Sequence, residues 1–308
     1  MQGGPERVVV TGGAGFVGSH VAERFAEAGA TVLAVDDLSA GSREKVPSGV
    51  ELLELDIRDD ELARHVAEFA PTVVCHLAAQ ASVTASVADP GHDQSVNVFG
   101  TLNVLEAARA VGAPTIFAST GGALYGDDVE LPTPEHVAAQ PGSPYGASKL
   151  AGEAYVTTWS RLRVLPNVVL RLGNVYGPRQ EPHGEAGVVA IFSVSLLEGR
   201  TPTVYGDGRP TRDYVYVGDV AEAFVAAARS RRGGTFNVGT GVATSVTELL
   251  DLLQQIAGTS VEPIQKPLRP GELRRSALDS TRIADELGWR ARTPLADGLR
   301  ITFASFAN

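Results

Sequence analysis

The chain of 308 residues holds one cysteine, Cys75. That excludes an intramolecular disulfide framework and makes a reducing cytoplasm the expected setting. Long apolar runs are also missing: none approaches the roughly 20 residues a bilayer-spanning helix needs. Val8–Val10 is far too short for a signal-peptide core. Positive charge is in deficit, with a formal net charge of −10, which argues against nucleic acid or an anionic membrane as a main partner. One anionic small molecule stays open, because a local arginine cluster can bind it whatever the total. Lysine is scarce, with Lys45, Lys149 and Lys266 among 26 basic residues, so a lysine at a mechanistically sensible spacing carries information. The six histidines, His20, His65, His76, His92, His136 and His183, show no metal-ligand spacing, and no metal is expected.

What is present fits a globular α/β protein, with 44% hydrophobic and 20% charged residues. Short apolar runs alternate with helical patterns, the mark of a Rossmann-type doubly wound parallel sheet. The predicted strands are 7–11, 30–35, 51–55, 72–77, 114–119 and 167–171. The predicted helices are 17–28, 60–69, 97–111 and 145–162, and a helix over 217–229 with a strand over 235–238 returns to the sheet. Segments 174–213 and 241–308 are richer in Pro, Gly and Arg. They are expected to form a smaller mixed lobe, leaving 1–173 and about 214–240 as the domain of the parallel sheet.

The first predicted strand runs into Thr11-Gly12-Gly13-Ala14-Gly15-Phe16-Val17-Gly18, which opens the first helix. Its glycines allow a tight turn and bring backbone N–H groups, with the positive end of the helix, up to a pyrophosphate. A glycine-rich turn alone is often only a turn. Here Asp36 ends the next strand, where a carboxylate should take the adenosine ribose hydroxyls. Asp36 and Asp37 together would repel a 2′-phosphate, so NAD is expected rather than NADP.

Tyr145-Gly-Ala-Ser-Lys149 begins a predicted helix, and spacing i,i+4 puts the phenol and the ammonium on one face. A phenol ionises near pH ~10, too high for a base at neutrality. Lowering it by about 3 units needs about 4 kcal/mol, within reach of two close cations, the lysine and the positive nicotinamide.

At this point the chain resembles the extended short-chain dehydrogenase/reductase family and, within it, the UDP-galactose (UDP-glucose) 4-epimerase group. The landmarks read TGGAGFVGSH (11–20), VDDLSAG (35–41), LDIRD (55–59), HLAAQASV (76–83), NVFGTLNVLEAA (97–108), FASTGGALYG (117–126), SPYGASKLAGE (143–153), LRLGNVYGPRQ (170–180), RDYVYVGDVAEA (212–223), NVGTG (237–241) and LRPGEL (268–273). The resemblance covers nearly the whole chain and rests on the order and spacing of these runs.

The resemblance implies NAD-dependent inversion at C4 of a UDP-hexose. Asp56 and Ile57 would flank adenine, Leu77, Ala78 and Ala79 would line the cofactor cleft, and Asn97 would support the active site. Tyr145 would be the base for the 4-hydroxyl, and Lys149 would hold the nicotinamide ribose. Thr120 or Ser119 would hydrogen-bond O4. On the substrate side, Asn174, Val188, Arg212 and Arg269 would meet the diphosphate, Thr203 and Tyr205 the uracil, and Glu272 the uridine ribose. Arginine forks suit phosphate oxygens. Ser276 stands where sugar-restricted relatives carry a tyrosine, which would leave room for an N-acetyl group at C2. A homodimer through the helices 97–111 and 145–162 is also implied.

Three other functions compete. A 4,6-dehydratase needs an acid and a base after the catalytic hydroxyl, where this chain has Gly121-Gly122-Ala123. A UDP-glucuronate 4-epimerase is expected to place an arginine where this chain has Glu181. A non-catalytic dinucleotide sensor would dispense with the tyrosine or the lysine, and both are here.

Overall fold

In the computed structural model, residues 6–182, 187–267 and 273–307 are described. The first half of the chain runs β1 (Arg7–Thr11), α1 (Phe16–Glu27), β2 (Thr31–Asp36), β3 (Glu51–Glu54), α2 (Leu62–Phe69) and β4 (Val73–His76). Short helices α3 (Val83–Ala88) and α4 (Pro90–Gln94) lead to α5 (Gly100–Ala110), then β5 (Thr115–Thr120), α6 (Pro144–Arg163) and β6 (Val168–Leu172). The second half holds β7 (Asn174–Tyr176), α7 (Val188–Leu197), β8 (Thr203–Tyr205), β9 (Thr211–Arg212), β10 (Tyr214–Tyr216), α8 (Val217–Ser230) and β11 (Gly234–Val238). It ends with β12 (Thr244–Ser245), α9 (Val246–Ala257), β13 (Ile264–Lys266), α10 (Thr281–Leu287) and α11 (Leu295–Phe306).

Seven strands form one sheet in the order β11-β6-β5-β4-β1-β2-β3, and every pairing in it is parallel. The expected doubly wound sheet is therefore observed. Chain order reverses between β1 and β4, and ligands of such sheets bind outside the strand C-termini at that point. The strands are buried on both faces because they read as continuous apolar runs. Val8 and Val10 pack with Phe25 of α1 and Phe224 of α8, while Val9 on the opposite face packs with Leu33, Leu62 and Val104. Truncating any of these to Ala would cost roughly 2–5 kcal/mol.

A second core joins Tyr176, Phe192, Leu196, Tyr214, Leu249, Leu253 and Leu299. Ile283 of α10 and Trp289 lie in the core of the large sheet, and the Trp289 indole donates to the Asp219 carbonyl at 2.8 Å. The stretch around 281–291 thus packs on the dinucleotide domain, because its apolar side chains meet α8 and β11 rather than the second core.

The helix expected over 97–111 starts earlier and is not uniform. Ser95–Phe99 is a π-helical turn feeding α5. Such turns carry an extra residue per turn and often mark functional positions. The helix bearing Tyr145 begins as its sequence dictates: Ser143 caps it by accepting from the Gly146 N–H, with Pro144 in the first turn.

Candidate active site

The glycine turn is built for close backbone approach. A Cβ on Gly18 would lie 1.9 Å from the Gly12 carbonyl oxygen, and one on Gly12, where φ is +70°, would lie 2.7 Å from the Ala78 nitrogen. Gly15 offers no side chain to cap α1, and the first turn, with Phe16 and Val17, holds no acidic residue. The helix N-terminus therefore keeps its N–H groups and positive potential for an anion. Asp36 lies at the end of β2, with its carboxylate accepting from the backbone N–H of Ala14 and of Leu38, both at 2.9 Å. Burial raises its pKa, an effect these two bonds oppose. Two accepted bonds leave lone pairs for ribose hydroxyls. Asp37 is turned to Ser39, accepting from its N–H and O–H. Leu77, Ala78 and Ala79 follow β4, half-buried, and Ala78 donates to the Thr11 hydroxyl at 3.2 Å. Asp56 is paired with Arg58, which holds its carboxyl below the ordinary range. Ile57 is buried beneath Gly100, where a Cβ would lie 2.5 Å from its Cδ1. The residues present fit a dinucleotide.

Tyr145 and Lys149 share a face of α6, as the i,i+4 spacing requires. The Lys149 ammonium is buried, donates to the Ala118 carbonyl at 2.9 Å and sits 4.7 Å from the centre of the Phe117 ring. Burial lowers its pKa to about 8, against the opposing fields of Asp93 and Glu153. Burial likewise pushes the Tyr145 phenol up to about 12, with Asp93 adding to the rise. This corrects the expected cost of ionisation: from about 12 to neutrality is about 5 units, or about 7 kcal/mol. The charge that bears most on the phenol is the carboxylate of Asp93.

Ser119 and Thr120 end β5 and differ in their surroundings. The Ser119 hydroxyl donates to buried Glu153 at 2.6 Å. Thr120 is half-buried, and its hydroxyl has no hydrogen-bond partner among the described residues. Asn97 lies in the π-helical turn as a buried hub. Its amide donates to the Gln80 carbonyl, Asp93 and the Ser148 hydroxyl and accepts from the Gln80 N–H.

Asn174 begins β7 with its side-chain oxygen buried and without a hydrogen-bond partner among the described residues. A Cβ on Gly122 would lie 3.1 Å from that oxygen. Val188 is the first residue of α7, and Thr203 and Tyr205 sit half-buried on β8, paired with β13. Arg212 ends β9. Ser276 is buried, and its backbone N–H donates to the Thr211 carbonyl at 3.1 Å, which sets it beside Arg212. Arg269, Glu272 and His183 lie outside the described residues. Glu181, which stands where a glucuronate epimerase is expected to carry an arginine, is paired with Lys45. A groove of about 660 Å³ lined by Thr240, Leu278, Arg290 and Pro294 contains none of these site residues.

Four buried acids, Asp93, Glu153, Asp213 and Asp219, escaped the sequence reading. Asp93 stands four residues before Asn97, and Glu153 four after Lys149, so helical spacing could have found both. Asp213 accepts from Thr240, Gly241 and Leu278, tying together segments that sequence distance conceals.

Residues 8–239 match the NAD dependent epimerase/dehydratase family, and the chain belongs to that family. It is 47% identical to a UDP-glucose 4-epimerase of Mycolicibacterium smegmatis, over 98% of this chain and 99% of that one. Among solved structures it resembles the UDP-glucose 4-epimerase of Thermotoga maritima with UDP-glucose (44% identity, TM-score 0.94, 97% of this chain and 98% of that one). It also resembles the UDP-glucose 4-epimerase of Thermus thermophilus in complex with NAD (47% identity, TM-score 0.91, 97% and 98%). Among the described residues, no helix is long and apolar enough to cross a membrane.

Proposed function

We propose that this protein is an NAD-dependent nucleotide-sugar 4-epimerase, interconverting UDP-glucose and UDP-galactose through a 4-keto intermediate. The observation that carries the reading is Lys149, four residues after Tyr145 on α6, donating to the Ala118 carbonyl two residues before Thr120 on β5. Near full-length likeness to UDP-glucose 4-epimerases adds to it.

In this reading the Gly12, Gly15 and Gly18 turn takes the pyrophosphate and Asp36 the adenosine ribose. Asp56, Ile57 and the 77–79 run flank the cleft. Bound there, NAD would supply the acceptor and donor for the C4 hydride. Tyr145 takes the proton of the 4-hydroxyl and returns it to O4 after the keto-sugar has turned its other face to the cofactor. Lys149 holds the nicotinamide ribose from a position fixed by the Ala118 carbonyl. Thr120 bonds O4, since the Ser119 hydroxyl is engaged by Glu153. Asn174, Val188, Arg212 and Arg269 serve the diphosphate, Thr203 and Tyr205 the base, and Glu272 the uridine ribose. Gly121-Gly122 provides no carboxylate for elimination. The pairing of Glu181 with Lys45 removes an objection to UDP-glucuronate, so that sugar belongs in the assay.

We read the enzyme as a cytoplasmic homodimer. Apolar side chains left exposed near α5 and α6, among them Val87, Phe99 and Leu162, support pairing on that face. The test incubates purified protein with UDP-glucose, UDP-N-acetylglucosamine and UDP-glucuronate and resolves the products by chromatography. Tyr145→Phe should abolish turnover while keeping bound NAD. A variant that retains the wild-type rate removes the phenol from its assigned role.

A further inference from the structure

The loop that follows β5 leaves from Thr120, the last residue of that strand, and opens with Gly121 and Gly122. Glycine gives a backbone more freedom than any other residue, yet a hydroxyl that must meet one sugar oxygen needs a fixed direction. The two ends of this arch are Ser119 and Tyr125, both buried. Ser119 donates to Glu153 at 2.6 Å. Glu153 is gripped by Arg171 through Nε at 2.9 and 3.1 Å and through a terminal nitrogen at 2.6 Å. The other terminal nitrogen of Arg171 donates to the Tyr125 hydroxyl at 2.7 Å, and that hydroxyl donates on to Asn237 at 2.9 Å. One guanidinium therefore ties down both ends of the arch.

The placement follows from register. Ser119 and Arg171 are partners across β5 and β6, so their side chains leave the same face of the sheet, beneath α6. Glu153 lies two helical turns beyond Tyr145 and reaches that face from above. Stability alone gives little reason for the pair, because well-packed apolar residues often replace a buried ion pair at no cost. A forked, two-oxygen grip supplies direction instead.

We propose that Arg171 and Glu153 act as a buried clamp on the 119–125 arch, positioning residues that aim the Thr120 hydroxyl at the reacting sugar oxygen; this rests on the reading of Thr120 given above. Neither residue touches substrate, and both act through Thr120.

The test releases the ends one at a time, with Ser119→Ala and Tyr125→Phe, which delete a hydroxyl each and keep the shape. For UDP-galactose each should lower kcat by about tenfold, about 1.4 kcal/mol, with KM changed less than about twofold. Amide hydrogen exchange across 120–124 should quicken in both variants. Thr120→Val sets the reference: Ser119→Ala combined with Thr120→Val should be no slower than Thr120→Val alone, since the clamp works through that hydroxyl. Additive losses, or unchanged kcat and unchanged exchange in both single variants, overturn the clamp. Thr120→Val at the wild-type rate overturns the assignment of Thr120 itself, a result separable from the first.

Discussion

Lys149 shows what the catalytic helix costs the fold. Burial takes its pKa from the ordinary 10.5 to about 8. Between those values the folded chain binds fewer protons than the unfolded one, so stability rises with pH through that window. Below pH 8 the full cost is present, about 3 kcal/mol. Lys149→Met should therefore be inactive yet more stable than wild type at pH 7. Urea unfolding from pH 7 to 10.5 checks this: the gap should close as pH rises, and a constant gap would falsify the account. Ser276 bears on substrate range. It is buried beside the strand carrying Arg212, and a serine leaves open the volume a phenol ring would fill. The enzyme is expected to turn over UDP-N-acetylglucosamine as well. Ser276→Tyr should then suppress the acetylated pair by at least about tenfold while sparing UDP-galactose. Equal loss of both activities in the product chromatogram would remove Ser276 as the gatekeeper.

At the scale of elements, His76 joins the end of β1 to α5. The Thr11 hydroxyl accepts from Ala78, and it lies 2.7 Å from His76 Nδ1. The Thr101 hydroxyl donates to the Asn97 carbonyl at 2.6 Å and lies 3.0 Å from His76 Nε2. Thr101 has spent its proton, so Nε2 must carry one and Nδ1 must accept, which assigns a neutral tautomer. Burial, with Lys149 adding, lowers the imidazole to about 3. The unfolded chain binds the extra proton between pH 6.5 and 3, so this contribution is lost as pH falls through that range. From pH 7 to pH 5 the loss should be about 2 kcal/mol. His76→Gln should flatten that slope in urea titrations, even though its stability at pH 7 starts lower. Superimposable slopes would refute the role. The sequence pattern revealed the strands, the glycine turn and Asp36 because each depends on residues close in the chain. It could not reveal the π-helical turn, which is held by Gln80 and Ser148. Nor could it show that the Ser119 hydroxyl, unlike that of Thr120, is engaged by Glu153, 34 positions away. The pairing of Lys45 with Glu181 spans 136 positions and was beyond any local reading.

At the scale of the whole molecule, α6 lies between the sheet and an exposed apolar face. Its inner side carries Lys149 and Glu153, both buried, while Leu162 is 65% exposed and Tyr155 36%. Phe99, in the turn that also holds Asn97, is 50% exposed, and Val87 of α3 is 65% exposed. The elements that carry them adjoin, since α3 and the π-helical turn both contact α6. Exposed apolar surface can mark an interaction site, and a two-fold pairing would cover it with its own copy. The alanines and glycines of α5 and α6 would let the helices approach closely. Pairing would also brace the catalytic helix from behind, coupling assembly to the placement of Tyr145. Phe99→Glu combined with Leu162→Glu should give a monomer by light scattering at micromolar concentration, with kcat reduced and NAD still bound. A wild-type protein that is already monomeric under those conditions would refute the pairing. A monomeric variant with unchanged kcat would refute the bracing alone.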